Sequence, residues 1–423
     1  MLKAKEILDI KLYPRYLLER ASKIIDEKEA ILVKGARRVG KTSLLYLIGQ
    51  YILSSKKGNV YYFDLEDPDD LDIVSGGPRA LKKIFGDGYY LVDEIHLMNR
   101  PDRFIKLIVD HYPEIKLICS DSSNIALNRK FKDSLIGRII ELEMFPLSFR
   151  EYLIFMEKTE YLSVLPQINI FSPSIKGVEL IPEFLYRDYE EYLRIGGYPE
   201  VILAGKEENR SRILSKMFRI YAKRDLQYLF QLRKEIAFEK FFYAVAATAG
   251  NLFNLSEIAS EIGVSIKTVK EYLTILETLF LVKVLHPFTP NIRTEIKKMP
   301  KVYFVDTGLL NWAIGSLASL ENRPDAGRIA ENGVFISLLR KSSDSTKINF
   351  WRRRSGGEVD FVVREKSIMP LEAKWQRRFS IPQGLRNFMK TYRVNTGIIT
   401  VRGKSKIKKF GNYRFFFIPA MIL

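Results

Sequence analysis

Cysteine is almost missing from this 423-residue chain, in which Cys119 stands alone. A single thiol closes no internal disulfide and builds no cysteine-based zinc site, which excludes a disulfide-stapled secreted scaffold. No apolar run approaches the roughly 18 residues needed to cross a bilayer. The opening stretch, MLKAKEILDIKLYPRYLLER, is charged throughout and lacks the uninterrupted apolar core of a signal peptide. No membrane insertion and a cytoplasmic location are therefore expected. The sequence shows neither an internal repeat nor a long low-complexity linker. What it does have is 47% hydrophobic and 28% charged residues, the balance of a globular rather than a disordered or fibrous chain. At roughly 100–200 residues per domain, the length suits two to four domains.

Charge of one sign is in excess. Lys and Arg number 68 against 50 Asp and Glu, a net charge of +18. Such a surplus attracts polyanions, and DNA is the expected partner. Abundant lysine and glutamate with scarce cysteine also suit a heat-adapted surface; that reading explains many charges but not the imbalance.

The first 150 residues alternate apolar strands and helices. Strands are expected at Glu29–Lys34, Val60–Asp64, Tyr89–Val92 and Ile115–Cys119, with a helix from Lys41 to about Leu53. This alternation predicts a parallel α/β sheet. From Phe149 to about Tyr243 the pattern is mostly helical, and Phe253–Phe288 reads as a helical unit running into a strand. Further on, a helix precedes strands near Ile348–Trp351, Glu358–Val363 and Ile368–Lys374; a second helix and the strands Gly397–Val401 and Tyr413–Ile418 follow.

Between the first strand and the first long helix lies Gly35-Ala36-Arg37-Arg38-Val39-Gly40-Lys41-Thr42, followed by Ser43. It fits G-x-x-x-x-G-K-[ST], whose curled backbone turns N–H groups toward phosphate oxygens at the positive end of a helix. Lys41 is expected to reach the β- and γ-phosphates of ATP, and the Thr42 hydroxyl to ligate Mg²⁺. Downstream, Tyr89-Tyr90-Leu91-Val92-Asp93-Glu94 is an apolar strand ending in two carboxylates. Asp93 would hold Mg²⁺ through a water, and Glu94 would polarise the water that attacks the γ-phosphate. After the fourth strand, Ser120 or Asp121 reads either as a γ-phosphate sensor or as part of a serine-rich helix cap. Arg138 reads either as an arginine finger or as an ordinary surface residue.

Leu255–Ile262, the turn Gly263-Val264-Ser265 and Ile266–Thr278 together give helix, turn, helix, with apolar positions at Ile266, Val269, Tyr272, Leu273 and Leu276. Ser265 suits the second helix's N-cap, Lys267 and Lys270 face outward, and Leu279–Val284 could open a wing. This unit reads either as a DNA contact or as a winged helix used for protein packing. In the C-terminal part, Glu331 lies on a helix (Ala326–Arg340), and Asp360, Glu372 and Lys374 fall on successive strands. Period-two geometry puts Glu372 and Lys374 on one face. Carboxylates holding a divalent ion beside a lysine are what metal-dependent phosphodiester cleavage needs, with Asp360 and Glu372 as ligands. The run Arg352-Arg353-Arg354 would contact backbone phosphates. A degenerate site serving as scaffold is the alternative.

Taken in order, Gly-Ala-Arg-Arg-Val-Gly-Lys-Thr, Val-Asp-Glu-Ile-His, Leu135-Ile136-Gly137-Arg138 and Pro146-Leu147-Ser148-Phe149-Arg150-Glu151 resemble the archaeal and bacterial AAA-type ATPases fused to a DUF4143 region. Gly196-Gly197-Tyr198-Pro199-Glu200, Arg224-Asp225, the segment from Lys301 to Leu309, Glu331-Asn332 and Glu358-Val359-Asp360-Phe361 fit the second region. Cys119-Ser120-Asp121-Ser122 departs from that family's usual Gly-Ser-Ser. The resemblance implies an ASCE-type P-loop domain (residues 1–148), a helical region (149–243), a winged helix (244–308) and an α/β domain similar to PD-(D/E)xK nucleases (309–423). A Mg²⁺-dependent ATPase that binds DNA, and processes it if the nuclease-like site is active, is the leading expectation. A STAND-like nucleotide switch with a silent C-terminal region is the alternative. A homo-oligomer is compatible with either.

Overall fold

Continuous apolar runs such as Ala30-Ile31-Leu32-Val33 suit strands covered on both faces, and that is how they are used. The computed structural model describes residues 4–122, 134–178, 181–222, 235–289, 298–353 and 356–423. The chain divides into two compact units, Met1–Pro146 with Thr278–Phe280, and Leu147–Glu277 with Leu281–Leu423.

The first unit is built on β1 (Ala30–Lys34), β2 (Val60–Asp64), β3 (Gly88–Asp93), β4 (Ile115–Asp121) and β5 (Ile139–Glu143). Their order is β2-β3-β4-β1-β5, and every pairing is parallel. One face packs Leu32, Phe63, Val92, Leu117 and Cys119 against the helix Pro101–His111, which contributes Phe104, Ile105, Ile108 and Val109 at helical spacing. Because all strands run the same way, Lys34, Asp64, Asp93 and Asp121 finish together at the carboxyl edge, Lys34 opposite Asp121 and Asp64 opposite Asp93. In an open α/β sheet that edge is where ligands bind. The strand β5 was not among the expected strands. Its sequence IIELE lies on the sheet's outer edge, half-buried for most of its length, so it lacks the continuous apolar signal of its neighbours.

The second unit begins with the helix Phe149–Phe155. Its start is fixed by a capping box: Ser148 Oγ accepts the Glu151 N–H at 3.2 Å, and the Ser148 N–H donates to Glu151 Oε2 at 2.8 Å. The helix-turn-helix has the expected bounds, Leu255–Ile262 and Ile266–Thr278. Asn254 caps the first helix, and Ser265 Oγ accepts the Thr268 N–H at 3.1 Å to cap the second. Ile266 departs from the expected apolar face: it is exposed, and Ile275 is buried instead. After Phe280, at φ 57°, β6 (Val282–Leu285) pairs antiparallel with β7 (Lys301–Phe304). The expected wing strand therefore starts later than Leu279.

Downstream are β8 (Lys347–Arg352), β9 (Glu358–Arg364), β10 (Ile368–Ala373), β11 (Thr396–Val401), β12 (Lys406–Phe410) and β13 (Tyr413–Pro419). They form one mixed sheet, ordered β12-β13-β11-β10-β9-β8. The helices Ala326–Lys341 and Gln383–Tyr392 supply its apolar cover. Apart from Thr278–Phe280, residues 149–243, 244–308 and 309–423 all fall within this second unit and are tied to one another. Asp306 is one reason. Its buried carboxylate accepts the Gly197 N–H at 2.6 Å and the Leu309 N–H at 2.8 Å, tying a helical-region turn to the helix Thr307–Ala313. The backbones meet so closely that a Cβ on Gly308 would lie 1.9 Å from the Ile195 carbonyl oxygen.

Candidate functional site

The phosphate-binding loop leaves β1 and enters the helix Lys41–Ser54 through Gly40, whose φ of 97° is left-handed and favours glycine. Arg15, in the link between the helices Ala4–Asp9 and Leu17–Ile24, donates to the Val39 carbonyl at 2.7 Å and to the Phe145 carbonyl at 2.9 Å, bracing the loop. Lys41 Nζ is buried and donates to the Gly35 and Ala36 carbonyls, both at 3.1 Å, so it curls over the loop's interior. Burial pulls this ammonium below its usual range, opposed by Glu94, Asp121 and Asp93.

Thr42 Oγ1 donates to Asp93 Oδ2 at 2.6 Å, and Tyr62 Oη reaches the same oxygen at 3.1 Å. Ser120 Oγ donates to Asp93 Oδ1 and accepts the Glu94 N–H at 2.9 Å. A hydroxyl and a carboxylate poised together are hard oxygen donors of the kind Mg²⁺ takes, so the residues fit the expected ion. Glu94 sits at φ 52°, an uncommon conformation for a residue with a side chain, and it directs its carboxylate toward Ser122 rather than along the strand. Ser122 Oγ donates to Glu94 Oε2 at 2.8 Å. His96 Nδ1 lies 3.1 Å from that oxygen and 3.3 Å from Asp121 Oδ1. For Glu94, the upward push of burial is outweighed by His96 and Lys41, which hold it down at about 2. Burial would lower His96, but Asp121 and Glu94 lift it to about 9.

The structure thus brings Lys41, Thr42, Asp93, Glu94, Ser120 and Asp121 to one edge. Arg138 lies elsewhere. Its carbonyl accepts the Ala30 N–H at the start of β1, the opposite edge from the loop, and its guanidinium pairs with Asp110 at 2.9 Å. Five strand residues separate the two edges, about 16 Å at strand rise, so Arg138 does not reach this chain's own loop. Sequence reasoning assigned no role to Arg15, Tyr62, His96 or Ser122. Only His96 carried a signal, as a histidine just beyond Asp93-Glu94.

In the second unit, antiparallel pairing of Leu371 with Phe361 places Glu372 opposite Asp360 one step along. Both carboxylates are buried and face the same side. Lys374, just past the end of β10, puts Nζ 3.1 Å from Glu372 Oε2 and 3.7 Å from Asp360 Oδ2. Asp360 Oδ2 also accepts the Ala373 N–H at 2.9 Å. Burial and the facing Asp360 push Glu372 well above the usual carboxylate range. Glu331 approaches from its helix, raised to about 7 by burial and by Asp360. Its near neighbours are Tyr303 Oη, donating at 2.6 Å, and Lys301 Nζ at 3.6 Å. Lys301 also lies 2.5 Å from Glu358 Oε1. Lys301 and Tyr303 belong to the wing strand β7 and were not foreseen; the signal was a lysine opening an otherwise apolar strand.

Of the expected DNA contacts, Lys267 and Lys270 are exposed, and Lys267 lies 4.0 Å from Glu271. Arg352 Nε is 3.8 Å from Glu358, and Arg353 donates to Thr391 Oγ1 at 2.9 Å while covering the Trp351 ring. Arg354 falls outside the described residues, as do Arg224 and Asp225. Among the described residues, no helix is long and apolar enough to cross a membrane.

Residues 27–153 match the family model of the AAA domain, and residues 326–423 match the domain of unknown function DUF4143. The chain joins an AAA-type P-loop domain to a DUF4143 region. Between them, residues 186–320 match a further domain of unknown function, DUF8612. An uncharacterized protein of Haemophilus influenzae is 27% identical over 357 residues, 79% of either chain. One of Methanocaldococcus jannaschii is 26% identical over 350 residues, 81% of this chain and 73% of the relative. Among solved structures, replication initiator DnaA bound to AMPPCP and single-stranded DNA is 14% identical with a TM-score of 0.28, covering 65% of this chain and 91% of that one.

Proposed function

We propose that this AAA and DUF4143 protein is a Mg²⁺-dependent ATPase that acts on DNA. The observation that carries the ATPase reading is the hydrogen bond from Thr42 to Asp93 beside Glu94, at the edge where Lys41 and the loop meet. Lys41 binds the β- and γ-phosphates, Glu94 orients and deprotonates the attacking water, and Ser120 fixes the backbone that presents both acids. Bound Mg²⁺, held by Thr42 and through water by Asp93, supplies charge neutralisation on the phosphates.

For DNA, support comes from the +18 charge and the exposed Lys267 and Lys270 on the second helix of the helix-turn-helix. The convergence of Asp360, Glu372 and Lys374 supports metal-dependent cleavage of phosphodiesters, with the acids as ligands and the lysine orienting the nucleophile. A nucleotide switch with a silent C-terminal region draws support from the same cluster: Lys374 and Lys301 already neutralise its carboxylates. Incubating the full chain with plasmid and branched DNA, with Mg²⁺ or Mn²⁺ present or withheld, separates the two. Metal-dependent cutting lost in Lys374→Ala is expected for the nuclease; DNA binding without cutting assigns the switch.

A further inference from the structure

His96 has no part in the hydrolysis scheme, yet its surroundings are unusual. The side chain is 10% exposed, and its Nδ1 atom is buried. Glu94 Oε2 and Asp121 Oδ1 lie 3.1 and 3.3 Å from that nitrogen. A buried ring nitrogen set between two carboxylate oxygens has the arrangement of a ligand set. All three atoms lie within 4.8 Å of one another. A tetrahedral zinc ion with nitrogen and oxygen donors at about 2.0–2.2 Å holds those donors roughly 3.3 Å apart. Both distances from Nδ1 match that edge.

We infer that Glu94, His96 and Asp121 form a binding site for a divalent transition metal of the Zn²⁺ class, distinct from the Mg²⁺ position at Thr42 and Asp93. The donor chemistry separates the two. Thr42 and Asp93 offer hard oxygens only, whereas an imidazole nitrogen favours Zn²⁺ and its neighbours over Mg²⁺. Charge is balanced, since two carboxylates and a neutral imidazole offset the ion's two positive charges. Binding displaces the proton that His96 otherwise carries. Lys41 is the opposing charge nearby; it is retained on the Gly35 and Ala36 carbonyls and limits affinity without blocking the site. Three protein ligands leave a fourth position for water. Cys119 is fully buried in the core and does not compete as a thiolate ligand.

The functional consequence rests on the proposed role of Glu94. Once coordinated, its carboxylate no longer accepts a proton from water, so the transition metal inhibits ATP turnover while nucleotide binding persists.

The test uses the full chain stripped of metal, titrated with Zn²⁺ against a chelating dye and separately with Co²⁺ followed by its visible spectrum. One ion per chain is expected, with the intense visible bands of four-coordinate Co²⁺. Affinity should fall at least tenfold in both His96→Gln and Asp121→Asn. Far-UV circular dichroism and a thermal midpoint close to the wild type's show that each variant is folded; His96→Ala serves if His96→Gln is not. Binding that is absent in the wild type, or unchanged in the variants because His111 or His286 holds the ion, overturns the site. Zn²⁺ that binds at one equivalent and leaves turnover intact keeps the site but removes Glu94 as the base. Inhibition reversed by chelator supports both.

Discussion

Lys374 Nζ stands 3.1 Å from Glu372 Oε2, on the same side of β10 and facing the Asp360 carboxylate of the next strand. The lysine offsets two buried acids that would otherwise repel one another. Burial would lower its pKa, but Asp360 and Glu372 outweigh this and raise it. Lys374→Met should therefore destabilise the protein in metal-free buffer at neutral pH by about 1–2 kcal/mol, the modest size reflecting a lysine 36% exposed. Added Mn²⁺ should restore part of the loss if it occupies the acids. Urea unfolding with and without the ion measures both effects, and an unchanged midpoint would contradict the assigned role.

At the phosphate loop, Lys41→Ala and Glu94→Gln should fail in different ways. The first removes the positive charge expected at the β- and γ-phosphates and should weaken ATP binding at least tenfold. The second keeps the Thr42–Asp93 pair, so binding should persist while turnover falls by roughly 10²–10⁴. Nucleotide-binding fluorescence and phosphate release distinguish the two. Equal turnover in wild type and variants rules out the site.

In chelator, the pH dependence of stability should carry the signature of His96. Its folded pKa, about 9, exceeds its ordinary value of 6.5. Its contribution is thus fully present below pH 6.5 and is lost as pH rises through about 9. The slope from one such proton is at most about 1.4 kcal/mol per pH unit. His96→Gln should flatten the stability curve between pH 6.5 and 9; curves of identical shape would contradict the ion pairing.

DNA affinity should fall steeply with salt. Replacing both Lys267 and Lys270 by alanine removes two phosphate contacts if the second helix docks, and should lower the log–log salt slope by roughly 2. Fluorescence anisotropy across a salt series gives that slope directly. An unaltered slope places the contact elsewhere.

A backbone prediction needs no ligand. Gly308→Ala sets a methyl group against the Ile195 carbonyl and should prevent normal folding or cost more than about 3 kcal/mol. Gly327→Ala meets nothing within 4 Å and should leave the thermal midpoint unchanged or slightly higher. Calorimetry of the pair provides an internal control.

Residues close in sequence and tied to a repeating geometry were legible. The phosphate loop, the acids ending β3, both helices of the helix-turn-helix and the strands around Asp360 and Glu372 all follow from local pattern. The misses share one cause, because they depend on what comes together in space. The edge strand β5 is only half covered and lacks a continuous apolar run. Exposure of Ile266 is decided by how its helix packs, not by its spacing to Val269. Arg15 reaches Val39 and Phe145 across long stretches of chain, and Lys301 reaches Glu331 and Glu358 in the same way. No local spacing encodes such pairings.

The wing strand β7 carries Lys301, the buried cation beside Glu331 and Glu358. The DUF4143 match begins at residue 326, beyond that lysine. A fragment excised at residue 326 would retain both acids and lose the buried lysine between them, along with the hydrogen bond that the Tyr303 hydroxyl donates to Glu331. The C-terminal region is therefore not a detachable cassette in this chain. Its acidic cluster is completed by residues from the preceding segment, so recombination between relatives would preserve that cluster only if the cut fell upstream of β7.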